Sequence, residues 1–169
     1  MREASPIHQP HRSHRAFTLV EISVVVTLLG LLIAMALPAY RHVTIRSKAA
    51  AVTNDIRVFS TAFQTYSTQH GAWPATAGPG VVPPEIADAI SDKFSKPSPI
   101  GGNYKWDYDS TSPGFHVTAC ISIVSTGTSP LTDDLELLEA VDQTYDDGNT
   151  STGNVQLSST NDLVFIVEP

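Results

Sequence analysis

The stretch RAFTLVEISVVVTLLGLLIAMAL, residues 15–37, decides how the rest of this chain is read. From Phe17 onward it is apolar except for Thr18, Glu21, Ser23 and Thr27. At about 1.5 Å per residue, a helix of this length covers roughly 30 Å, the thickness of a bilayer's hydrocarbon core. Glu21 is the only charged side chain between Arg15 and Arg41. An ionisable group costs about 2.5–3.5 kcal/mol at a membrane centre and less near the interface, so its presence needs a reason. Arg2, Arg12 and Arg15 precede the run, and Arg41, Arg46 and Lys48 follow it. Basic residues on both sides leave the orientation open from charge alone.

Two readings of the segment compete. A basic start, an apolar stretch and the small residues AMA at 34–36 fit an ordinary secretory signal peptide, which would discard the helix. Against this, the run is longer than such a core needs and it carries a carboxylate. The sequence AFTLVE followed by the apolar run instead resembles the class III signal of type IV pilins and type II secretion pseudopilins. The resemblance implies that a prepilin peptidase cuts between Ala16 and Phe17 on the cytoplasmic face, that the new N terminus is methylated, and that the helix is kept. Residues 1–16 would be the leader peptide and residues 17–40 a transmembrane and filament-core helix. Glu21 would be the family's assembly glutamate and Pro38 a helix-kinking proline. Ala16 departs from the family pattern, which usually has glycine before the cut. The implied partners are further copies of the chain, other pilins, the prepilin peptidase, the inner-membrane assembly platform and the membrane itself. The implied location is the bacterial inner membrane, crossed once, with the globular part in the periplasm, and then the assembled filament.

This resemblance supplies a physical role for Glu21. Cleavage creates a positive amine at Phe17, and in a filament the Glu21 carboxylate of one subunit could neutralise the amine of its neighbour. Inside an apolar helix bundle a misplaced subunit would bury an unpaired charge, which is strongly penalised. Glu21 would then set the register of assembly. A carboxylate that snorkels to the headgroups without any partner is the bland alternative.

Past residue 40 the helical pattern continues as an amphipathic segment over residues 41–70. Ile45, Ala49, Val52, Ile56, Phe59, Phe63 and Tyr66 are spaced four and three apart, with Arg46, Ser47, Asn54, Arg57 and Gln64 on the opposite face. Gly71 and Trp73-Pro74 predict the end of a helix of about 50 residues, far beyond ordinary globular length. Residues 71–169 then read as a globular α+β domain. Residues 84–95 (PEIADAISDKFS) predict a short helix with proline at its start. NYKWDYD and GFHVTACISIV predict two strands turning at Pro113-Gly114, the second with Phe115, Val117, Ala119, Ile121 and Ile123 on one face. LTDDLELLEAVDQTY predicts a helix capped by Thr132 with Leu135, Leu138 and Val141 on its apolar face. VQLSS and DLVFIVE predict the final strands. The expected fold is therefore a long N-terminal helix packed on a small antiparallel sheet with one or two short helices, a pilin-like α+β arrangement. KPSPIGGNYKWDYD and YDDGNTSTGN also resemble stretches of a variant pseudopilin globular domain, though less specifically.

Composition narrows the function classes. The chain has 169 residues, 41% hydrophobic and 16% charged, with a formal charge of −7. No Lys or Arg follows Lys105. An acidic surface of this kind repels phosphate backbones, so no nucleic-acid partner is expected. Cys120 is the sole cysteine, which excludes an intrachain disulfide or a cysteine zinc cluster and leaves the thiol as a small packing residue. His8, His11 and His14 lie in the presumed leader and carry no metal reading. Asp107, Asp109, Asp146 and Asp147, with Asp133 and Asp134, are the candidate oxygen ligands for calcium. DDGNTSTGN, however, does not match the D-x-[DN]-x-[DN]-G loop pattern, and Asp133 and Asp134 suit a helix N terminus without any metal. A solvated acidic face is the favoured reading and no cofactor is expected, with calcium the lesser possibility. There is no GxSxG, no triad spacing and no phosphate-cradling glycine loop, so nothing proposes an enzyme. The expectation is a structural subunit of a type II secretion pseudopilus or type IV pilus. Two alternatives stay open: a minor or tip pilin whose globular domain binds a ligand, and a membrane-tethered periplasmic binding domain that never polymerises.

Overall fold

The computed structural model describes residues 17–90, 92–112 and 115–169. Its first element, α1 (Leu19–His70), contains the apolar run and the amphipathic stripe in one helix. Thr18 starts it: its hydroxyl accepts the Glu21 N–H at 3.2 Å and its carbonyl accepts the Ile22 N–H. Pro38 lies inside α1 without ending it, although a proline cannot donate to the preceding turn. At the other end Gly71 takes a positive φ of 70° and its N–H closes on the Ser67 carbonyl, a left-handed C-terminal stop. The chain divides into two compact units, Met1–Tyr40 and Arg41–Pro169.

Within Arg41–Pro169, four strands form one antiparallel sheet in the order β1-β2-β4-β3: β1 (Asn103–Ser112), β2 (Phe115–Val124), β3 (Val155–Leu157) and β4 (Leu163–Glu168). A helix, α2 (Leu135–Tyr145), lies between β2 and β3 in sequence. The expected α1 stripe is the buried one: Ile45, Ala49, Val52, Ile56, Phe59 and Phe63 join Tyr104, Trp106, Ala119, Ile121, Ile123, Leu163 and Phe165 in a single core. Its centre is aromatic. Phe63 stacks on Trp106 with ring centroids 3.7 Å apart, and Phe59 meets both Phe94 and Tyr104 edge to face. Asp55 is also on the buried face, held by Tyr104 and Lys93. The glycines of the PIGG stretch have a steric reason. Gly101 sits at φ 83°, and a Cβ there would run into the Pro130 carbonyl.

Four local expectations need correction. Residues 84–95 do not form one helix. They give two 3₁₀ turns, Pro84–Ile86 and Asp92–Ser95, while Ile86, Ile90 and Phe94 still reach the core. So short a helix is marginal by itself, and burial of these three side chains decides the path. Thr132 does not cap α2. Its hydroxyl accepts the N–H of Asp134, and Asp134 is the N-cap residue. The buried face of α2 is Leu137, Leu138, Val141 and Asp142, leaving Leu135 61% exposed. Val117 leaves the main core face and packs with Cys120, Val164 and Ile166. The β2–β4 register shifts between Ala119 and Cys120, with the extra residue, Val167, on β4. The turn expected at Pro113-Gly114 and the histidines at 8, 11 and 14 lie outside the described residues.

Candidate functional site

The N-terminal half of α1 is unusual among the elements of this chain. Every residue from 17 to 43 is exposed, including Leu19, Val24, Leu28, Leu31 and Met35. Among the described residues α1 is the one helix long and apolar enough to cross a membrane. An uncovered apolar surface of this extent is stable in water only when something else covers it.

The polar side chains within it divide cleanly. The Ser23 hydroxyl donates to the Leu19 carbonyl and the Thr27 hydroxyl donates to the Ser23 carbonyl, each at 2.8 Å. Thr18 is used as the cap. These three groups are satisfied by the helix's own backbone and cost little in an apolar surrounding. Glu21 differs: its carboxylate forms no ion pair among the described residues, and its backbone N–H alone is capped. Phe17 is 74% exposed immediately before the helix. Ala16 lies outside the described residues, so the bond expected to be cut is described on one side only. The signal for Thr18 is the T-L-V-E pattern, Thr-x-x-Glu ahead of an apolar run, of which the Thr18 half is formed.

The candidate acidic residues separate into three places. Asp107 pairs with Lys105 at 2.8 Å, and Asp109 faces His116 at 3.2 Å, so on β1 these two have protein partners. Asp134 and Glu136 pair with Arg41 at 3.3 and 3.0 Å, all largely exposed. Asp146 and Asp147 are brought together with a third carboxylate that the sequence did not single out, Asp142. Burial first, then the charge of Asp147, pushes Asp142 above its usual carboxylate pKa. Cys120 lies under Lys105 and Asp107 on the face of the sheet away from α1's stripe. Burial above all, then Asp107, pushes its thiol pKa up to about 12, which makes it inert.

Comparison with known proteins bears on the N-terminal segment and on the fold. Residues 11–37 match the family described as Prokaryotic N-terminal methylation motif. The chain is similar to Type IV major pilin protein PilE1 of Neisseria gonorrhoeae, 34% identical over 80 residues, which is 47% of this chain and 36% of that protein. It is also similar to Fimbrial protein EcpC of Eikenella corrodens, 36% identical over 61 residues, 36% of this chain and 40% of that one. The matches thus span less than half the length of these curated relatives. In three dimensions it resembles the major Type IV pilin PilA1 from Clostridium difficile, with a TM-score of 0.52 at 15% identity, covering 74% of this chain and 97% of that one. The chain carries the prokaryotic N-terminal methylation motif and has a type IV pilin fold.

Proposed function

We propose that this chain is a structural subunit of a type IV pilus or type II secretion pseudopilus. It enters the bacterial inner membrane as a prepilin with Arg41–Pro169 on the periplasmic side. The prepilin peptidase cuts between Ala16 and Phe17, and the assembly platform then adds the subunit to a filament of its own copies and other pilins. No catalytic step is assigned to it. The observation that carries the reading is the exposed apolar surface of residues 17–43, in which Glu21 is the only charged side chain before Arg41. A membrane tether needs the apolar surface but no carboxylate. A filament core needs both, because the amine created at Phe17 requires a counter-charge where water is excluded.

The test has two arms. Mass spectrometry of the membrane-bound protein from its native host should find a mature N terminus at Phe17, and a start after the AMA triplet would return the segment to a signal peptide. In the second arm, Glu21→Val should be cleaved and accumulate in the membrane yet be missing from sheared filaments. Insertion becomes easier without the carboxylate, but every subunit in the cooperative filament loses its charge partner. Glu21→Asp keeps the charge with a shorter reach and should fall between. Normal filament yield from Glu21→Val would sink the assembly role of the carboxylate.

A further inference from the structure

Just past the apolar stretch of α1, the unit Arg41–Pro169 carries a groove of about 560 Å³ between α1 and α2. Its floor is apolar, with Ile45 buried and Ala140 half-buried. Its two walls have opposite sign. His42 and Arg46 stand on the α1 side, Glu136 and Glu139 on the α2 side. Glu136 is already taken by Arg41 at 3.0 Å. Arg46 and Glu139 are different: both are exposed, and among the described residues neither forms an ion pair. The groove thus stands open between two opposed charges, a shape that complements a small dipolar group. The chain also fixes where it lies. His42 is two residues past Tyr40, where the apolar unit ends. At ~3.5 Å per residue it is therefore at most about 7 Å away, whatever angle the globular unit takes. Along α1, Arg46 is roughly 9 Å beyond Tyr40. A bilayer's headgroup layer is roughly 5–8 Å thick on each side, and a long arginine side chain spans the remainder. In the membrane-inserted subunit the α1 wall is within reach of phospholipid headgroups.

We propose that this groove binds the headgroup of a zwitterionic phospholipid with a primary amine, phosphoethanolamine, drawn from the membrane that holds the unassembled subunit. The inference rests on the membrane-inserted subunit of the proposed function and adds a lipid partner to it. Arg46 takes the phosphate, since a guanidinium presents paired N–H donors to an oxyanion, and His42 adds a further N–H. Glu139 takes the ammonium, which has three N–H donors to offer a carboxylate. Ile45 and Ala140 cover the two carbons between them. The other common headgroups fit less well. Phosphoglycerol supplies the phosphate without the cation. It brings net negative charge to a groove already lined by Glu136, Glu139 and Asp147, on a chain of formal charge −7. Phosphocholine has a cation with no N–H to donate. Such cations are held by aromatic rings, and no aromatic side chain lines this groove.

The test uses the full chain reconstituted into nanodiscs of equal parts phosphatidylethanolamine, phosphatidylglycerol and phosphatidylcholine with identical acyl chains. Native mass spectrometry then strips the disc and identifies the lipid still bound. Wild type should retain one phosphatidylethanolamine per chain in clear excess over the other two. Glu139→Gln should lower its preference for phosphatidylethanolamine over phosphatidylcholine by roughly tenfold, the worth of one charge-assisted hydrogen bond. Glu139→Lys should turn the preference toward phosphatidylglycerol, a reversal that a merely unfolded domain does not produce. Arg46→Gln should reduce retention of all three lipids, because the phosphate is common to them. Asp133→Asn, on the acidic surface outside the groove, should behave as wild type. A wild-type chain that enters the discs but shows no lipid preference overturns this site alone. So does a preference unchanged in both Glu139→Gln and Arg46→Gln. A chain that fails to enter the discs overturns the membrane reading and this site with it.

Discussion

Replacing Asp55 by alanine tests how α1 is fastened to the sheet. Asp55 is 6% exposed; one carboxylate oxygen lies 3.0 Å from Lys93 Nζ and the other accepts the Tyr104 hydroxyl at 3.3 Å. The two losses differ in size. Lys93 is 60% exposed at its side chain, so its half of the interaction behaves as a surface pair worth ~0–1 kcal/mol. Tyr104 is only 1% exposed. Without Asp55 its hydroxyl is stranded in the core, at a cost of about 1–3 kcal/mol. The sum is ~2 kcal/mol, most of it from Tyr104, and this corresponds to a fall in melting temperature of roughly 5–10 °C. Thermal unfolding of wild type, Asp55→Ala, Tyr104→Phe and the double variant, followed by tryptophan fluorescence, resolves the terms. The stranded hydroxyl disappears when both partners are removed. The double variant should therefore be no less stable than Asp55→Ala, a coupling of about 1 kcal/mol or more. Strict additivity of the two single changes would refute the reasoning.

The same pair gives an alkaline signature. Burial, then Asp55, raises the Tyr104 phenol above its usual 10.0, so its contribution is intact below about pH 10 and is lost as pH climbs beyond that, at about 1.4 kcal/mol per unit. Denaturant melts of Tyr104→Phe should show a correspondingly shallower alkaline limb; an unchanged limb counts against the assignment. Cys120 should resist alkylation at about pH 8 in the native chain and react once unfolded, and rapid native labelling would contradict its burial. Phe63→Ala removes a ring stacked on Trp106 and should cost about 3–5 kcal/mol, whereas Val58→Ala, half-exposed on the same helix, should stay within about 0.5 kcal/mol. Equal losses from the two in thermal melts would show that the stripe does not carry the packing.

The sequence by itself determined α1 and its two characters. Helical periodicity from Ile45 to Tyr66, and an apolar run with one carboxylate before it, are local patterns that a single chain displays in full. The strands of the second half also followed, from alternation in residues 115–124 and the apolar run LVFIVE, whereas their order β1-β2-β4-β3 was decided by the tertiary structure. Only the tertiary structure decided how far α2 is rotated. LELLEAVDQTY offers two apolar faces, and packing against Val155 and Phe165 chooses the one with Leu137, Leu138 and Val141. That choice exposes Leu135 and carries Asp142 inside, beside Asp146 and Asp147. A spacing rule treats an aspartate in such a helix as solvent-facing, because the cost of burying it depends on neighbours that come from elsewhere in the chain. The same holds for Asp55, an acidic residue on an apolar stripe that is tolerated because Tyr104 and Lys93 reach it from distant segments.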